Sequence, residues 1–406
     1  MPRRLRPALE AALHDSPIVV LVGPRQAGKT TLVRELVPDE PAYVDLDDPT
    51  VLHEAQHAPK DFLASLPIPA AIDEVQRAPG LILPLKSVVD RDRRPGRILL
   101  TGSADPFASH HVPDSLAGRT ETLTLWPLSE VELRGKEPTF IDRAFDRDWP
   151  RATLRSSRGE VVDLVVRGHF PAALVRADHA RRAAWYSDYA AALAQRDVPG
   201  LARVSSIGAV ANLLRLLAAR TAGLVNRADF ARDAGLPPST LGRYLDLLHR
   251  LFVFHSTSAW FRNVGKRLTK MPKLHLVDTG LAAALLGLDA GGLDANQSRL
   301  GAFIETFVAM ELLKQASWHP KRPALHHFRT EAGAEVDLVL EAPDGSIVGI
   351  EVKASADFGE RDLRGLRVLA EVAGKQFRRG VLLHTGRVVE TMGPRLVAAP
   401  IATLWQ

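Results

Sequence analysis

The sequence predicts an α/β protein: an N-terminal parallel sheet built around a phosphate-binding loop, a helical middle segment, and a second α/β region toward the C-terminal end. Three observations carry this reading. Residues 23–30 run Gly23-Pro24-Arg25-Gln26-Ala27-Gly28-Lys29-Thr30, the pattern G-x-x-x-x-G-K-T. Apolar segments of strand length at 18–22, 42–46, 68–72 and 97–100, and an alternating one at 121–125, are separated by helical connections. A later pair, 335–340 and 347–353, flanks the turn Asp344-Gly345.

The first segment is apolar throughout, as a strand covered on both faces is. It feeds the loop, and residues 30–36 continue as a helix whose N-terminus favours phosphate. Glycine at 23 and 28 lets the backbone turn tightly and approach phosphate oxygens. Gly23, Pro24, Arg25, Gln26, Ala27, Gly28, Lys29, Thr30 and Thr31 are therefore the expected ATP cradle. Lys29 is placed to reach the β- and γ-phosphates, and Thr30 to set a hydroxyl on Mg²⁺. The second segment closes in the turn chemistry of Asp47-Asp48-Pro49. The third runs into Asp73 and Glu74. Asp73 is placed to hold Mg²⁺ through water, and Glu74 to orient and polarise the attacking water. The fourth ends in Thr101-Gly102-Ser103, where either hydroxyl is positioned to sense the γ-phosphate. The fifth leads into Trp126-Pro127-Leu128.

The 406 residues are 46% hydrophobic and 24% charged, ordinary for a soluble globular chain of several domains. There is no cysteine, which excludes disulfides, thiolate metal sites and a cysteine nucleophile, and suits a reducing cytoplasm. No apolar run approaches the roughly 18 residues of a membrane span. The basic start, residues 1–6, is not followed by the apolar stretch of a secretory signal. A cytoplasmic location without membrane association is expected. The net charge is +5, and residues 221–280 carry nine lysines and arginines against four aspartates, an excess equal to that of the whole chain. Such a stripe is either a nucleic-acid footprint or a solvated basic face.

The segments GPRQAGKTTL, AIDEVQ, LLTGS, LAGR and LWPLSEVE, in that order, resemble the AAA+ ATPases of a large prokaryotic family in which the ATPase is followed by a domain of unknown function. The resemblance covers nearly the whole chain and implies an AAA+ ATPase domain over 1–134. It also implies that Arg119, in Leu116-Ala117-Gly118-Arg119, contacts phosphate in cis or from a neighbouring subunit of a homo-oligomer, neutralising charge in the transition state.

Residues 135–160, rich in Arg, Asp, Pro and Ser, read as a linker. A helical and winged-helix domain is expected over 161–285. HFPAAL and Arg196-Asp197-Val198 again match the family. Trp185, Tyr186 and Tyr189 lie on a helical stretch at 180–197, as core residues. Residues 229–235 and 239–252 read as two helices about the turn Leu236-Pro237-Pro238, with Ser239 as N-cap of the second. The second helix carries Thr240, Arg243 and Arg250 outward. Residues 252–254 and 273–277 read as wing strands around a basic loop. A winged helix binds DNA with a helix in the major groove or serves as a protein-interaction module. Arg243, Lys266, Arg267 and Lys270 are the expected DNA contacts.

Over 286–406 the arrangement Glu305, Asp337, Glu351-x-Lys353 resembles the PD-(D/E)xK nuclease core. That resemblance implies Glu305, Asp337 and Glu351 as oxygen ligands of a second Mg²⁺, with Lys353 as their catalytic partner. Such folds also serve as binding platforms. The leading expectation is thus an ATP- and Mg²⁺-dependent AAA+ ATPase that binds and remodels DNA, as forks, junctions or duplex. The alternatives are a nucleotide-gated switch on a protein partner and a metal-dependent nuclease.

Overall fold

All five N-terminal segments form strands of one parallel sheet. They are β1 (Ile18–Val22), β2 (Tyr43–Asp45), β3 (Ala70–Asp73), β4 (Ile98–Gly102) and β5 (Thr120–Thr124), in the order β2-β3-β4-β1-β5. Ile18 pairs with both Ile98 and Thr120, and Val22 with both Gly102 and Thr124, so β1, β4 and β5 end at one edge. Every residue of β1 and β4 is buried, the reason their sequences are continuously apolar rather than alternating. Val20, Ile72 and Leu100 of the sheet pack with Leu81, Ile82, Leu85 and Val89.

The computed structural model describes residues 1–37, 42–104, 106, 116, 118–145, 149–201, 206–267 and 270–406, the side chains of Val264 and Lys266 excepted. These fall into two units, 1–127 with 248–253, and 128–247 with 254–406. Phe252 joins the first unit's core, and its ring meets Trp126 edge-on at 5.9 Å.

Among the described residues, the second unit holds nine strands. β6 (Gly223–Leu224), β7 (Phe254–Ala259), β8 (Lys273–Leu276), β9 (Ala324–Arg329), β10 (Glu335–Glu341), β11 (Ile347–Lys353), β12 (Phe377–His384), β13 (Glu390–Gly393) and β14 (Leu396–Pro400) are ordered β13-β14-β12-β11-β10-β9-β7-β8-β6. Residues expected as a helical domain and as a C-terminal domain therefore share one sheet. Helix Arg364–Ala373 is amphipathic and sets Leu366 and Leu369 against Val336, Val339 and Leu382. Helix Gln297–Trp318 buries most of its residues, Glu311 and Lys314 among them.

Between 207 and 276 the order is helix Ile207–Ala219, β6, helix Arg227–Ala234, helix Pro238–Arg250, β7, the short helix Val264–Arg267, β8. Asn226 caps the second of these helices, which ends on left-handed Gly235. The third helix begins one residue earlier than expected. Leu241 N–H donates to the Pro237 carbonyl at 2.9 Å, so Ser239 lies within the first turn and is not the cap. Of the expected wing strand at 252–254, only Phe254 is strand. Phe252 instead turns back with φ +56° and packs in the first unit. The segment expected as an open linker contains helix Phe140–Phe145, which buries Phe140, Ile141 and Ala144. Two adjacent apolar residues and a third one turn on give it a face to bury. Helix His179–Ala192 and the π-helical turn Leu193–Asp197 span the expected stretch, with Tyr186 and Tyr189 buried and Trp185 half-buried.

Candidate functional site

β1 delivers the chain to the loop. Gly23 takes φ +147°, and a Cβ there would lie 2.2 Å from the Leu125 carbonyl oxygen, so the chain leaving β5 admits only glycine. Gly28, at φ +99°, turns the chain into helix Lys29–Leu36. The Lys29 ammonium is buried and donates to the carbonyls of Gly23 (2.9 Å) and Pro24 (3.0 Å). Burial lowers its pKa to about 8, against the pull of Glu74 and Asp73.

Asp73, at the end of β3, gathers hydroxyls. Thr30 donates to its Oδ2 at 2.7 Å and Tyr43 to the same oxygen at 2.5 Å, while Thr101 donates to Oδ1. Glu74 sits in the left-handed region, φ +57° and ψ +44°, a costly backbone for a non-glycine residue that is typical of functional sites. Its Oε2 accepts from Ser103 Oγ at 2.8 Å and from Gln76, whose amide also donates to Ser103 Oγ at 3.0 Å. The two hydroxyls left as alternatives differ in what they hold: Thr101 donates to Asp73 and accepts the Glu74 backbone N–H at 3.1 Å, whereas Ser103 donates to the Glu74 carboxylate. Thr30 and Asp73 are the residues that would hold Mg²⁺, which would supply charge neutralisation at the phosphates.

Three contributors went unassigned in the sequence. Tyr43 reads as part of an apolar strand, and Gln76 stands in AIDEVQ without a role. Arg3, in the basic N-terminal run, donates to the loop carbonyl of Ala27 at 2.7 Å and to that of Trp126 at 2.6 Å. Of these, only Gln76, in a matching motif and beside Glu74, left a sequence signal.

Arg119 requires a correction. It precedes the first residue of β5, at the sheet edge opposite the loop, and its Nε donates to Asp90 at 2.8 Å. Four residues separate the two edges, roughly 13 Å of strand. Phosphate contact in cis is therefore out of reach, and only the role toward a neighbouring subunit is left open.

The acidic cluster of the second unit also departs from expectation. Glu305, Asp337, Glu351 and Lys353 do come together, but the Lys273 ammonium lies among the carboxylates, 2.6 Å from Glu305, 3.1 Å from Glu335 and 3.2 Å from Asp337. Lys273 is only 4% exposed. Burial alone would lower its pKa, but the three carboxylates outweigh burial and raise it. The other oxygen of Asp337 accepts the Val352 N–H at 2.9 Å. Lys353 pairs with Glu351 at 3.0 Å. Burial and the charge of Asp337 raise the Glu351 carboxyl to about 8, and burial raises that of Glu305 as well. Among the described residues, no group of three or more carboxylates and imidazoles is set to hold a metal ion. Lys273 thus pairs with two of the three carboxylates expected to hold a second Mg²⁺, Glu305 and Asp337.

The basic stripe is thinner than its composition suggests. Arg267 is 15% exposed and grips both oxygens of Glu341, so it is not offered to a ligand. Arg243 is exposed, its guanidinium 5.5 Å from the Tyr244 ring centre. Lys270 is exposed and paired with exposed Glu331. The Lys266 side chain lies outside the described atoms.

The motifs LWPLSEVE and HFPAAL meet in a buried polar knot. Glu130, 1% exposed, accepts from Arg134 at 2.9 Å and from Arg167, and pairs with His169 Nε2 at 2.9 Å. Burial pushes the Glu130 carboxyl up, but His169, Arg167 and Arg134 outweigh it and hold it at about 2.

Residues 15–134 match the family described as an AAA domain, 158–291 a domain of unknown function, DUF8612, and 300–404 another, DUF4143. The uncharacterized proteins Mb2031c of Mycobacterium bovis and Rv2008c of Mycobacterium tuberculosis are each 32% identical over 394 residues, 97% of this chain and 82% of theirs. This chain belongs to their family. Within this AAA-domain family member, the first unit is a P-loop ATPase domain. The Walker-type ATPase PABY2304 of Pyrococcus abyssi is a more remote likeness, with 18% identity and a TM-score of 0.42 over 69% of this chain and 94% of that one. No helix among the described residues is long and apolar enough to cross a membrane.

Proposed function

We propose that this AAA protein hydrolyses ATP and uses the cycle to act on DNA, remodelling forks or junctions. The observation that carries the hydrolytic half is the placement of Glu74. Its carboxylate is held by Ser103 and Gln76, while the adjacent Asp73 accepts from Thr30 of the phosphate loop. When bound, Mg²⁺ supplies charge neutralisation at the phosphates. Lys29 then exchanges the carbonyls of Gly23 and Pro24 for phosphate oxygens. Thr30 and Asp73 hold the metal, and Glu74 orients the attacking water while Ser103 fixes its carboxylate. Arg119 is left to act on the site of a neighbouring subunit.

The DNA half is supported by the order of elements between 207 and 276. Helix, strand, two helices, strand, a connection that holds the short helix Val264–Arg267, and strand follow the order of a winged helix, with Pro238–Arg250 in the recognition position and Arg243 exposed on it. A second reading, a nucleotide-gated switch on a protein partner, is favoured by the internal pairing of Arg267. The test is the ATPase rate with and without single-stranded, duplex and forked DNA. Stimulation that falls when Arg243 and Lys270 are reversed to glutamate, with a salt slope lower by about 0.9 per lost contact on duplex, supports the DNA reading. Indifference to all three DNAs overturns it in favour of the protein switch.

A further inference from the structure

The acidic cluster looks built for a cation and contains one of its own. Glu305 enters from helix Gln297–Trp318, Glu335 and Asp337 from β10, and Glu351 from β11. Lys273 enters from β8, and its ammonium touches the first three carboxylates. Mg²⁺ binds oxygen at about 2.1 Å in a near-octahedral shell. An ion that close to Glu305 Oε1, itself 2.6 Å from the Lys273 nitrogen, would stand no more than about 4.7 Å from that nitrogen, where two positive centres repel. The ammonium has little room to leave, being almost wholly buried and anchored on a strand paired to both β6 and β7. Glu351 Oε2 is a buried oxygen of the cluster without a hydrogen-bond partner.

We propose that Lys273 is the resident cation of this cluster: it takes the place a divalent metal would need, closes the site to metal in the intact chain, and pins β8 to helix Gln297–Trp318 and β10. A latent metal site lies beneath it. Removing the ammonium frees Glu305 Oε1 and Asp337 Oδ1, two hard oxygens suited to Mg²⁺ or Mn²⁺. The cluster is thereby a lock rather than a centre for metal-activated water. The inference does not depend on the DNA reading, because metal binding and DNA-stimulated hydrolysis are separate measurements.

The test is Mn²⁺ titration of the nucleotide-free full-length protein, followed by electron paramagnetic resonance of free Mn²⁺. The full chain matters, because a fragment beginning near residue 290 would lack Lys273 and expose the latent site. The parent should show no Mn²⁺ site that disappears on Asp337→Asn. Lys273→Met should gain one site, at least about tenfold tighter than any in the parent and lost again on adding Asp337→Asn. Lys273→Arg should keep the charge and gain none. An Asp337-dependent site in the parent overturns the proposal, and so does a folded Lys273→Met protein that gains none. The parent measurement decides even if Lys273→Met fails to fold.

Discussion

Proton uptake on ATP binding follows from the state of Lys29. In the structure its amine is buried against two carbonyls and has a pKa of about 8. Phosphate oxygens beside it favour the ammonium and raise that value, so binding above pH 8 must draw a proton from solution. With a free-state pKa of about 8, the uptake should be below about 0.1 proton per site at pH 6.5, about 0.5 at pH 8 and about 0.9 at pH 9. The affinity should accordingly weaken by up to about tenfold per pH unit above pH 8. Isothermal titration with Mg²⁺ and a non-hydrolysable ATP analogue reads this directly. The observed enthalpy, plotted against buffer ionisation enthalpy, has the number of protons as its slope. At pH 8 and 9 the analogue's phosphates are already ionised and contribute little. Lys29→Arg is the control, because a guanidinium stays charged throughout and takes up nothing. No uptake in the parent at pH 9, or equal uptake in the arginine variant, would refute the placement of Lys29 against the phosphates.

Other outcomes are expected from the same geometry. Lys29→Ala should abolish hydrolysis, whereas Glu74→Gln should bind nucleotide normally and turn over slower by orders of magnitude; a Glu74→Gln protein working at the parent rate removes Glu74 from its role. Tyr43→Phe takes one donor from the Asp73 carboxylate, an interaction worth roughly 1.5–3 kcal/mol, and should raise the Mg²⁺ concentration for half-maximal rate about tenfold while leaving nucleotide binding without metal unchanged. In the second unit, the Glu130 carboxyl is depressed from 4.5 to about 2, so its stabilisation is complete above pH 4.5 and is lost as pH falls through 2. Glu130→Gln should cost about 3 kcal/mol at pH 7, a gap shrinking to under half by pH 3 in denaturant melts; a gap independent of pH would sink this assignment.

The ATP site was legible in the sequence because it is local. Gly23 to Thr30 form one loop at the end of one strand, and Asp73 and Glu74 end another. In a parallel sheet with one direction of strand, such ends must fall at the same edge. The central strands were legible for a related reason, since burial on both faces leaves a largely apolar run in β1 and β4, whereas the edge strand β5 shows as an alternation with Leu123 buried. Tyr43 escaped because a strand tyrosine reads as core, and only the pairing of β2 with β3 brings its hydroxyl to Asp73. The cis alternative for Arg119 could not be decided from sequence for the converse reason: the motif shows that an arginine precedes β5, while the register with β1 decides which edge it occupies.

The second unit shows the limit most clearly. Glu305, Asp337 and Glu351 could be grouped by spacing, and the structure does group them. Lys273 and Glu341 could not be assigned from sequence. Their partners lie 32 or more residues away for Lys273 and 74 away for Glu341. The sequence by itself determined the phosphate loop, the strands and the supply of carboxylates. The tertiary structure decided which charges neutralise which, because Coulomb energy follows distance in space, and that distance is set by strand order and packing rather than by position along the chain.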